Sequence, residues 1–261
     1  LDYTQNLYEK KLVTYPRTDS RFLTDDMAHS LPDIVNLAFH TFPVEGVDNV
    51  PVHAEQVVNN KKVTDHHAII PTRELQKCNL GELPKGELAI LQLLSNRLCV
   101  AVGDPHRYAE TVIELDCGGT AFSAKGKTVL HDGWKALVKK NSSTKIDEKE
   151  QALPSVSVGD EMTVNGTEIK EGKTSPPKHY TEDTLLQSME TAGADEMPDE
   201  VERKGLGTPA TRAGIIEKLV RIGFLERKGD KKTKYLIPTH KGTALVTVMP
   251  EQIQSPSMTA D

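Results

Sequence analysis

The chain has 261 residues, which is enough for two or three domains of ordinary size. Its hydrophobic content of 37% supports buried cores, whereas a charged fraction of 27% and the lack of a long apolar run exclude a membrane-spanning segment. A formal net charge of −6 argues against a protein that coats nucleic acid, because contacts with phosphates need Lys and Arg.

The first informative stretch is VTYPRTDSR, at residues 13–21. The proline after Tyr15 disfavours the helical region for that tyrosine, so we expect an extended chain here and the end of any helix formed by residues 3–12. Alternate side chains of an extended segment share one face, which groups Tyr15, Arg17 and Asp19. A free tyrosine is a weak nucleophile that needs a nearby cation or base, and a guanidinium matches a phosphate. These residue types fit phosphoryl transfer to tyrosine, and they also fit an ordinary surface turn.

Residues 1–106 are otherwise predicted to be mostly helical. Thr24 is a candidate helix cap, and Pro32 begins a second short helix. Residues 44–63 are irregular and polar, which is typical of a loop. Pro84 opens a longer helix whose apolar residues recur at spacings of three and four, so we expect this helix to belong to the core.

Two histidines, His66 and His67, stand directly before the apolar residues 68–71. A histidine beside an apolar run is often structural or merely exposed, and it can also relay a proton. The residue types alone leave both interpretations open.

From residue 107 the pattern changes to that of strands, with a Gly-Gly turn after the first of them. The predicted strands are 111–117, 120–125, 161–164 and 167–169. We therefore predict a small antiparallel β domain over residues 107–174. Trp134, the single tryptophan, could stack on a base, but the Asp-Gly turn before it favours packing at the edge of this domain.

Helical signals return at Thr181, and the helix that it caps is expected to end near Gly193. A second helix is predicted to start at Thr208 and to run to about Ile222, followed by a hairpin over residues 224–237. A helix followed by a hairpin is typical of winged-helix DNA-binding modules.

The segment GLGTPATR, at residues 205–212, is a second candidate site. The start of a helix presents free N–H groups and a partial positive charge, which favour a phosphate. Gly205 and Gly207 would let a DNA strand approach the backbone. Three side chains could donate to phosphate oxygens: Thr208, Thr211 and Arg212. The alternative is an ordinary capped helix that docks on a neighbour. The basic run at 227–234 is a further candidate for phosphate contacts.

Four ordered segments of this chain resemble the type IA DNA topoisomerases, topoisomerase III branch. They are LYEKKLVTYPRTDSR at 7–21, DHHAIIPT at 65–72, DGW at 132–134 and GLGTPATR at 205–212. The resemblance implies that Tyr15 attacks a phosphate of single-stranded DNA and forms a 5′-phosphotyrosyl link, assisted by Arg17. It also implies that His66 contacts the phosphate or relays a proton. His67 stands where relatives of the topoisomerase I branch carry an acid, and Thr208 stands where a basic residue is common.

The implied fold is α+β and multidomain, like the central domains of type IA topoisomerases. It comprises a helical tyrosine domain over 1–106, a β-rich arch segment over 107–174 and a helical, winged-helix-like DNA-binding segment over 175–261. The implied activity cleaves one DNA strand, passes another and religates the break without ATP. Family members bind Mg²⁺ in an acidic Toprim domain that precedes the tyrosine, and only fourteen residues precede Tyr15. We therefore expect an internal fragment that is inactive alone and binds no Mg²⁺ itself.

We expect the protein to be a monomer that binds single-stranded DNA and no membrane. The three cysteines show neither paired metal spacing nor a disulfide framework, which predicts a reduced, cytoplasmic setting. The alternative to an enzyme is a non-catalytic winged-helix-type DNA-binding protein in which Tyr15 is structural, and a covalent DNA adduct on Tyr15 would separate the two. A purely structural interaction domain, a third interpretation, would show no DNA affinity at any salt concentration.

Overall fold

A computed structural model describes residues 1–63, 65–139, 153–193, 205–230 and 232–255. Within these ranges the fold is α+β, as predicted, and the chain divides into two compact units, Leu1–Thr167 and Glu168–Asp261. The helices are α1 (Asp2–Glu9), α2 (Leu31–Thr41), α3 (Lys85–Val102), α4 (Lys135–Lys139), α5 (Glu182–Thr191), α6 (Arg212–Ile222), α7 (His240–Val248) and α8 (Glu251–Gln254). The strands are β1 (Arg107–Cys117), β2 (Thr120–His131), β3 (Leu225–Gly229) and β4 (Lys234–Pro238).

Helix α3 is the central element of the first unit, and both α1 and α2 pack on it. Pro84 occupies the N-cap position of α3, and the fully buried Leu91 and Val102 lie on its inner face, as the periodicity predicted. Among the helices in the described ranges, none is long and apolar enough to cross a membrane.

Helix α1 ends earlier than the sequence suggested. Its last residue is Glu9, and Lys11 adopts a left-handed conformation with φ of 61°. The candidate helix start at Thr24 is only a short 3-10 turn, Asp25–Met27. The predicted loop at 44–63 lacks α-helix and strand and contains two further 3-10 turns.

Strands β1 and β2 form the predicted antiparallel hairpin. Its turn is made by Gly118 and Gly119, whose φ angles of 62° and 84° are those of the tight turns that match the twist of a hairpin. The predicted strands at 161–164 and 167–169 were wrong, because residues 153–180 contain neither strand nor helix. The apolar side chains that suggested these strands are exposed, so no core is present against which one face of a strand could be buried.

In the second unit, two helices are followed by the hairpin β3–β4, as predicted. Thr181 caps α5 through a reciprocal pair of hydrogen bonds with Thr184. Gly223, with φ of 83°, ends α6 in the left-handed conformation. The outer edge of β4 is also paired, because Tyr235 bridges to Thr181.

The start of α6 differs from the prediction. Helix α6 begins at Arg212, and residues 208–211 form a turn before it.

Trp134 is half-buried next to the ring of His106, with the ring centroids 6.5 Å apart, which agrees with the predicted packing. Its backbone N–H donates to the carbonyl of Asp104 at 2.8 Å, so the residue is fixed at the base of the β1–β2 hairpin.

Candidate active site

Two segments that are far apart in sequence run side by side in the first unit. Val13 pairs with Pro71 in an antiparallel bridge, and both residues are buried. The N–H of Thr14 donates to the carbonyl of Ile70 at 3.0 Å. This backbone pairing fixes the position of the extended chain that carries Tyr15, and it places that chain beside the residues that follow His66.

Two threonine hydroxyls reinforce this pairing. Thr14 Oγ1 donates to the carbonyl of Ala68 at 3.1 Å and accepts from the N–H of Ile70 at 3.0 Å. Thr18 Oγ1 donates to the carbonyl of His66 at 2.7 Å. Each hydroxyl therefore ties the tyrosine segment to the histidine segment, once on either side of Tyr15.

The ring of Tyr15 is half-buried between two other rings. Its centroid lies 4.4 Å from that of His66, with an angle of 50° between the planes. On the α1 side, Tyr8 meets it edge-on at 5.3 Å and 79°. Contacts of this kind contribute about 0.5–1.5 kcal/mol each beyond the area that they bury, so Tyr15 has a defined ring orientation.

Arg17 is exposed two residues after Tyr15, and buried Pro16 anchors the chain between them. Within the described part of the chain, no hydrogen bond or ion pair engages the Arg17 side chain. Its five N–H donors are therefore available to an incoming anion.

The two histidines have different surroundings. His66 is exposed, and its ring lies tilted against that of Tyr15. His67 is half-buried, and its Nδ1 lies 2.8 Å from the carbonyl oxygen of Ala68. Because a carbonyl can only accept, Nδ1 of His67 carries the proton in this contact. The structure thus brings Tyr15 and His66 together and directs His67 towards its own backbone.

Side chains that could bind a metal ion are dispersed over the described residues. No group of three or more His, Cys, Asp or Glu side chains lies close enough together in these ranges to hold a metal ion. Mg²⁺ prefers clustered oxygen ligands, so we assign no step to a metal bound by these residues.

The second candidate site, residues 205–212, lies in the second unit. Gly205 and Gly207 both have positive φ, 62° and 66°. A Cβ on Gly205 would collide with the carbonyl of Met189, which accepts from the N–H of Leu206 at 2.7 Å. Glycine is therefore required here by close packing against α5, independently of any ligand.

Thr208 and Thr211 are exposed and bonded to each other across the turn before α6. The N–H of Thr208 donates to Thr211 Oγ1 at 2.9 Å, and the two hydroxyls are 3.1 Å apart. These hydroxyls are accessible to a ligand, although they also hold the turn. The contact of both residues with DNA stays a prediction.

Arg212 points inward, which the sequence did not indicate. Its side chain is only 4% exposed, and its Nε donates to the carbonyl of Leu206 at 3.0 Å. Its Nη2 donates to the carbonyl of Gly207 at 3.2 Å, and its Nη1 lies 3.7 Å from a carboxylate oxygen of Glu190. The structure therefore gives Arg212 a role in shaping the loop, and its predicted contact with DNA stays untested.

The basic run at 227–234 is also partly engaged within the protein. Arg227 Nε donates to Glu182 at 2.7 Å, and its Nη2 donates to Glu217. This arginine joins α5, α6 and β3, which leaves Lys232 and Lys234 as the better candidates for phosphate contacts in this hairpin.

Sequence reasoning missed three residues that shape the first site: Tyr8, Thr14 and Thr18. A tyrosine in a predicted helix gives no sign that it contacts another tyrosine seven residues later. The two threonines act through a segment about fifty residues away, which no local pattern reveals.

Comparison with known proteins identifies the family of this chain. A profile of the DNA topoisomerase family matches residues 1–261. The chain is 38% identical over 283 residues to DNA topoisomerase 3 of Bacillus licheniformis and 37% identical over 284 residues to that of Bacillus subtilis. It is 34% identical over 276 residues to DNA topoisomerase 3 of Bacillus anthracis. Each match covers all of this chain and 37% of the relative, so the chain spans little more than a third of their length. The chain therefore belongs to the type IA DNA topoisomerase family, in its topoisomerase III branch.

Proposed function

We propose that this chain carries the nucleophile of a topoisomerase that cleaves and religates single-stranded DNA. The observation that carries the proposal is the contact between the rings of Tyr15 and His66, at 4.4 Å, on two segments joined by backbone hydrogen bonds. Membership of the DNA topoisomerase family supports it.

In the proposed reaction, the Tyr15 hydroxyl attacks the phosphorus of a DNA phosphodiester. The new bond joins the phenolic oxygen to the 5′-phosphate, and the bond between phosphorus and the 3′-oxygen breaks. The tyrosine loses its proton, and the departing 3′-oxygen gains one. Religation is the reverse reaction. Because one phosphate ester replaces another, ATP is not needed, and a second strand can pass while the first is held open.

Arg17 and His66 have complementary roles in this proposal. Arg17 donates to the oxygens of the scissile phosphate, where its planar fork stabilises the charge of the transition state. Its side chain is exposed and makes no hydrogen bond or ion pair with any residue that the structure describes, which supports that role. His66 contacts the phosphate or relays the tyrosine proton, which its position against the Tyr15 ring supports.

Residues 205–212 would contact single-stranded DNA through the exposed hydroxyls of Thr208 and Thr211. Arg212 would keep the Leu206 and Gly207 carbonyls in place behind them. The Mg²⁺ of the reaction would be bound by a Toprim domain outside this chain. We further propose a monomeric, cytoplasmic enzyme, with which the three free cysteines are compatible.

The test is covalent trapping with the full-length protein that contains this chain. An oligonucleotide labelled at its 3′ end keeps its label on the tyrosyl-linked fragment, whereas a 5′ label leaves with the free fragment. We expect a labelled adduct with the parental protein and none with Tyr15→Phe, which removes only the hydroxyl and should retain single-stranded DNA binding. Tyr180→Phe, which removes the hydroxyl of an exposed tyrosine in the second unit, is the matched control.

An adduct that persists in Tyr15→Phe would disprove the assignment of the nucleophile. DNA binding without any adduct in the parental protein would favour the non-catalytic DNA-binding alternative.

A further inference from the structure

Tyr8 lies near the end of α1, and its ring meets the ring of Tyr15 edge-on at 5.3 Å. We infer that Tyr8 is a positioning residue that holds the Tyr15 ring in its reactive orientation. The inference rests on the proposed function of Tyr15.

The helix that carries Tyr8 is firmly attached to α3. Leu7, the preceding residue, is fully buried in the core. Asn6 Nδ2 donates to a carboxylate oxygen of Glu87 at 3.0 Å, and Lys10 forms an ion pair with the other oxygen. Residues on both sides of Tyr8 are thus fixed to α3, so its ring is presented from a rigid support.

The end of α1 adds a second constraint. The N–H of Leu12 donates to the carbonyl of Leu7 at 2.9 Å, and the N–H of Lys11 donates to the carbonyl of Tyr8 at 2.8 Å. With Lys11 at a φ of 61°, these two bonds form a Schellman closure. The closure reverses the chain within a few residues, so the tyrosine segment starts beside the helix that it has just left, and Tyr8 and Tyr15 come into contact.

His66 and Tyr8 both contact the ring of Tyr15, and together they restrict its orientation. A nucleophilic oxygen at the end of a tyrosine ring moves by more than an ångström when the ring tilts, and a misplacement of about 1 Å can cost about a hundredfold in rate. Tyr8 is 38% exposed, so its ring can be shortened without opening a closed core.

The contact requires the ring of Tyr8 and not its hydroxyl. We therefore expect Tyr8→Ala in the full-length protein to lower the rate constant of adduct formation about tenfold, and Tyr8→Phe to stay within about twofold of the parental value. The dissociation constant for uncleaved single-stranded DNA, measured in a Tyr15→Phe background, should be unchanged in both variants. If Tyr8→Phe keeps the parental rate constant and neither variant changes the affinity for DNA, then Tyr8 acts by positioning Tyr15 and not by contacting DNA.

A second measurement does not depend on activity. In this chain, labelled with ¹³C at the tyrosine ring carbons, the Tyr15 resonance can be identified by its absence in Tyr15→Phe. We expect Tyr8→Ala to shift that resonance through loss of the neighbouring ring, and Tyr8→Phe to leave it near its parental position. Tyr180→Phe serves again as the control.

The outcomes are distinct. An unchanged rate constant in Tyr8→Ala, with a normal parental adduct, overturns the inference and leaves the proposed function intact. A loss of affinity in Tyr8→Phe assigns the hydroxyl to DNA binding and also overturns it. If the parental protein forms no adduct, the proposed function fails and the inference fails with it, whatever the resonance shows.

Discussion

At the scale of single residues, the groups that hold the backbone of the first site differ from the groups proposed for its chemistry. Thr18 uses one hydroxyl to hold the carbonyl of His66 and to accept from the N–H of Ser20. Arg17, in contrast, makes no bond inside the described part of the chain. The backbone and the threonines thus supply the geometry, and within the described residues the side chain of Arg17 remains available to an anion.

The difference between the two histidines leads to a prediction. We expect His66→Ala in the full-length protein to reduce the rate of cleavage or religation by about 100-fold or more, because proton transfer by a positioned side chain contributes about 10²–10⁴-fold. His67→Ala should change it by less than twofold, because the ring of His67 is directed to the Ala68 carbonyl. Single-turnover adduct formation measures both. Equal and negligible effects would return the pair to a structural role.

A second prediction concerns pH and Glu87. This carboxylate is 3% exposed, and its hydrogen bond from Lys10, with a further one from Asn6, lowers its pKa below the ordinary value. A lowered folded-state pKa contributes stability above the unfolded-state pKa of about 4.3, and that stability is lost as the pH falls through the folded value. Glu87→Gln should therefore lower the free energy of unfolding by about 1–3 kcal/mol at pH 7, with the deficit shrinking towards pH 3.

Urea unfolding of both proteins at the two pH values measures this deficit. A deficit that is the same at pH 7 and pH 3 would show that the charge of Glu87 contributes nothing. Glu74→Gln is the control, since Glu74 makes an exposed ion pair with Lys77 on the surface.

At the scale of secondary-structure elements, the closure of α1 contains a conformational strain. Lys11 is the one non-glycine residue with a positive φ in the described ranges. Left-handed conformations cost an L-residue about 1–2 kcal/mol relative to the right-handed region, and glycine avoids that cost. The position is held because two backbone bonds close around it.

We therefore predict that Lys11→Gly raises the free energy of unfolding by about 1 kcal/mol. The extra conformational entropy of glycine stabilises the unfolded chain and reduces this gain. Lys11→Ala, which keeps the Cβ, should remain near the parental stability. Chemical denaturation followed by circular dichroism measures both variants. A glycine variant that is less stable than the alanine variant would contradict the assignment of strain.

The elements also show what sequence patterns can and cannot determine. The cap at Thr181, the end of α6 at Gly223 and the turn of the β1–β2 hairpin were predictable because each depends on a few adjacent residues. The strands at 161–164 and 167–169 failed because alternation predicts a strand only when a partner and a buried face exist. The approach of His66 to Tyr15 followed from resemblance alone, since the pairing that produces it joins residues 54 apart.

At the scale of the whole chain, charge limits the proposed affinity for DNA. The net charge is −6, and Arg227 is engaged by two carboxylates within the second unit. We therefore expect few phosphate contacts in the β3–β4 hairpin and a small release of counterions on binding.

We predict that this chain alone binds single-stranded DNA weakly and forms no adduct, even with Mg²⁺, because the described residues offer no metal cluster. With two or three phosphate contacts, affinity should fall about tenfold between 50 and 200 mM salt. Lys232→Gln with Lys234→Gln should weaken binding and flatten the salt dependence. Lys77→Gln, on the surface of the first unit, is the control.

Fluorescence anisotropy with a labelled oligonucleotide gives the affinities, and a covalent-adduct gel gives the chemistry. An affinity for the oligonucleotide that does not change with salt concentration would contradict binding through phosphate contacts. An adduct formed by this chain alone would show that the chemistry needs no further domain.

The pairing of the tyrosine segment with the histidine segment has a consequence for biosynthesis. Thr14 donates a hydrogen bond to the carbonyl of Ala68, 54 residues further along the chain. The ribosome therefore adds Tyr15 to the nascent chain well before it synthesises the histidine segment. During that interval the tyrosine belongs to an unpaired peptide with no fixed orientation and no His66 beside it. On the proposed chemistry, a nascent chain therefore cannot crosslink itself to nearby nucleic acid, and its capacity to break a strand arises only after the two segments have closed.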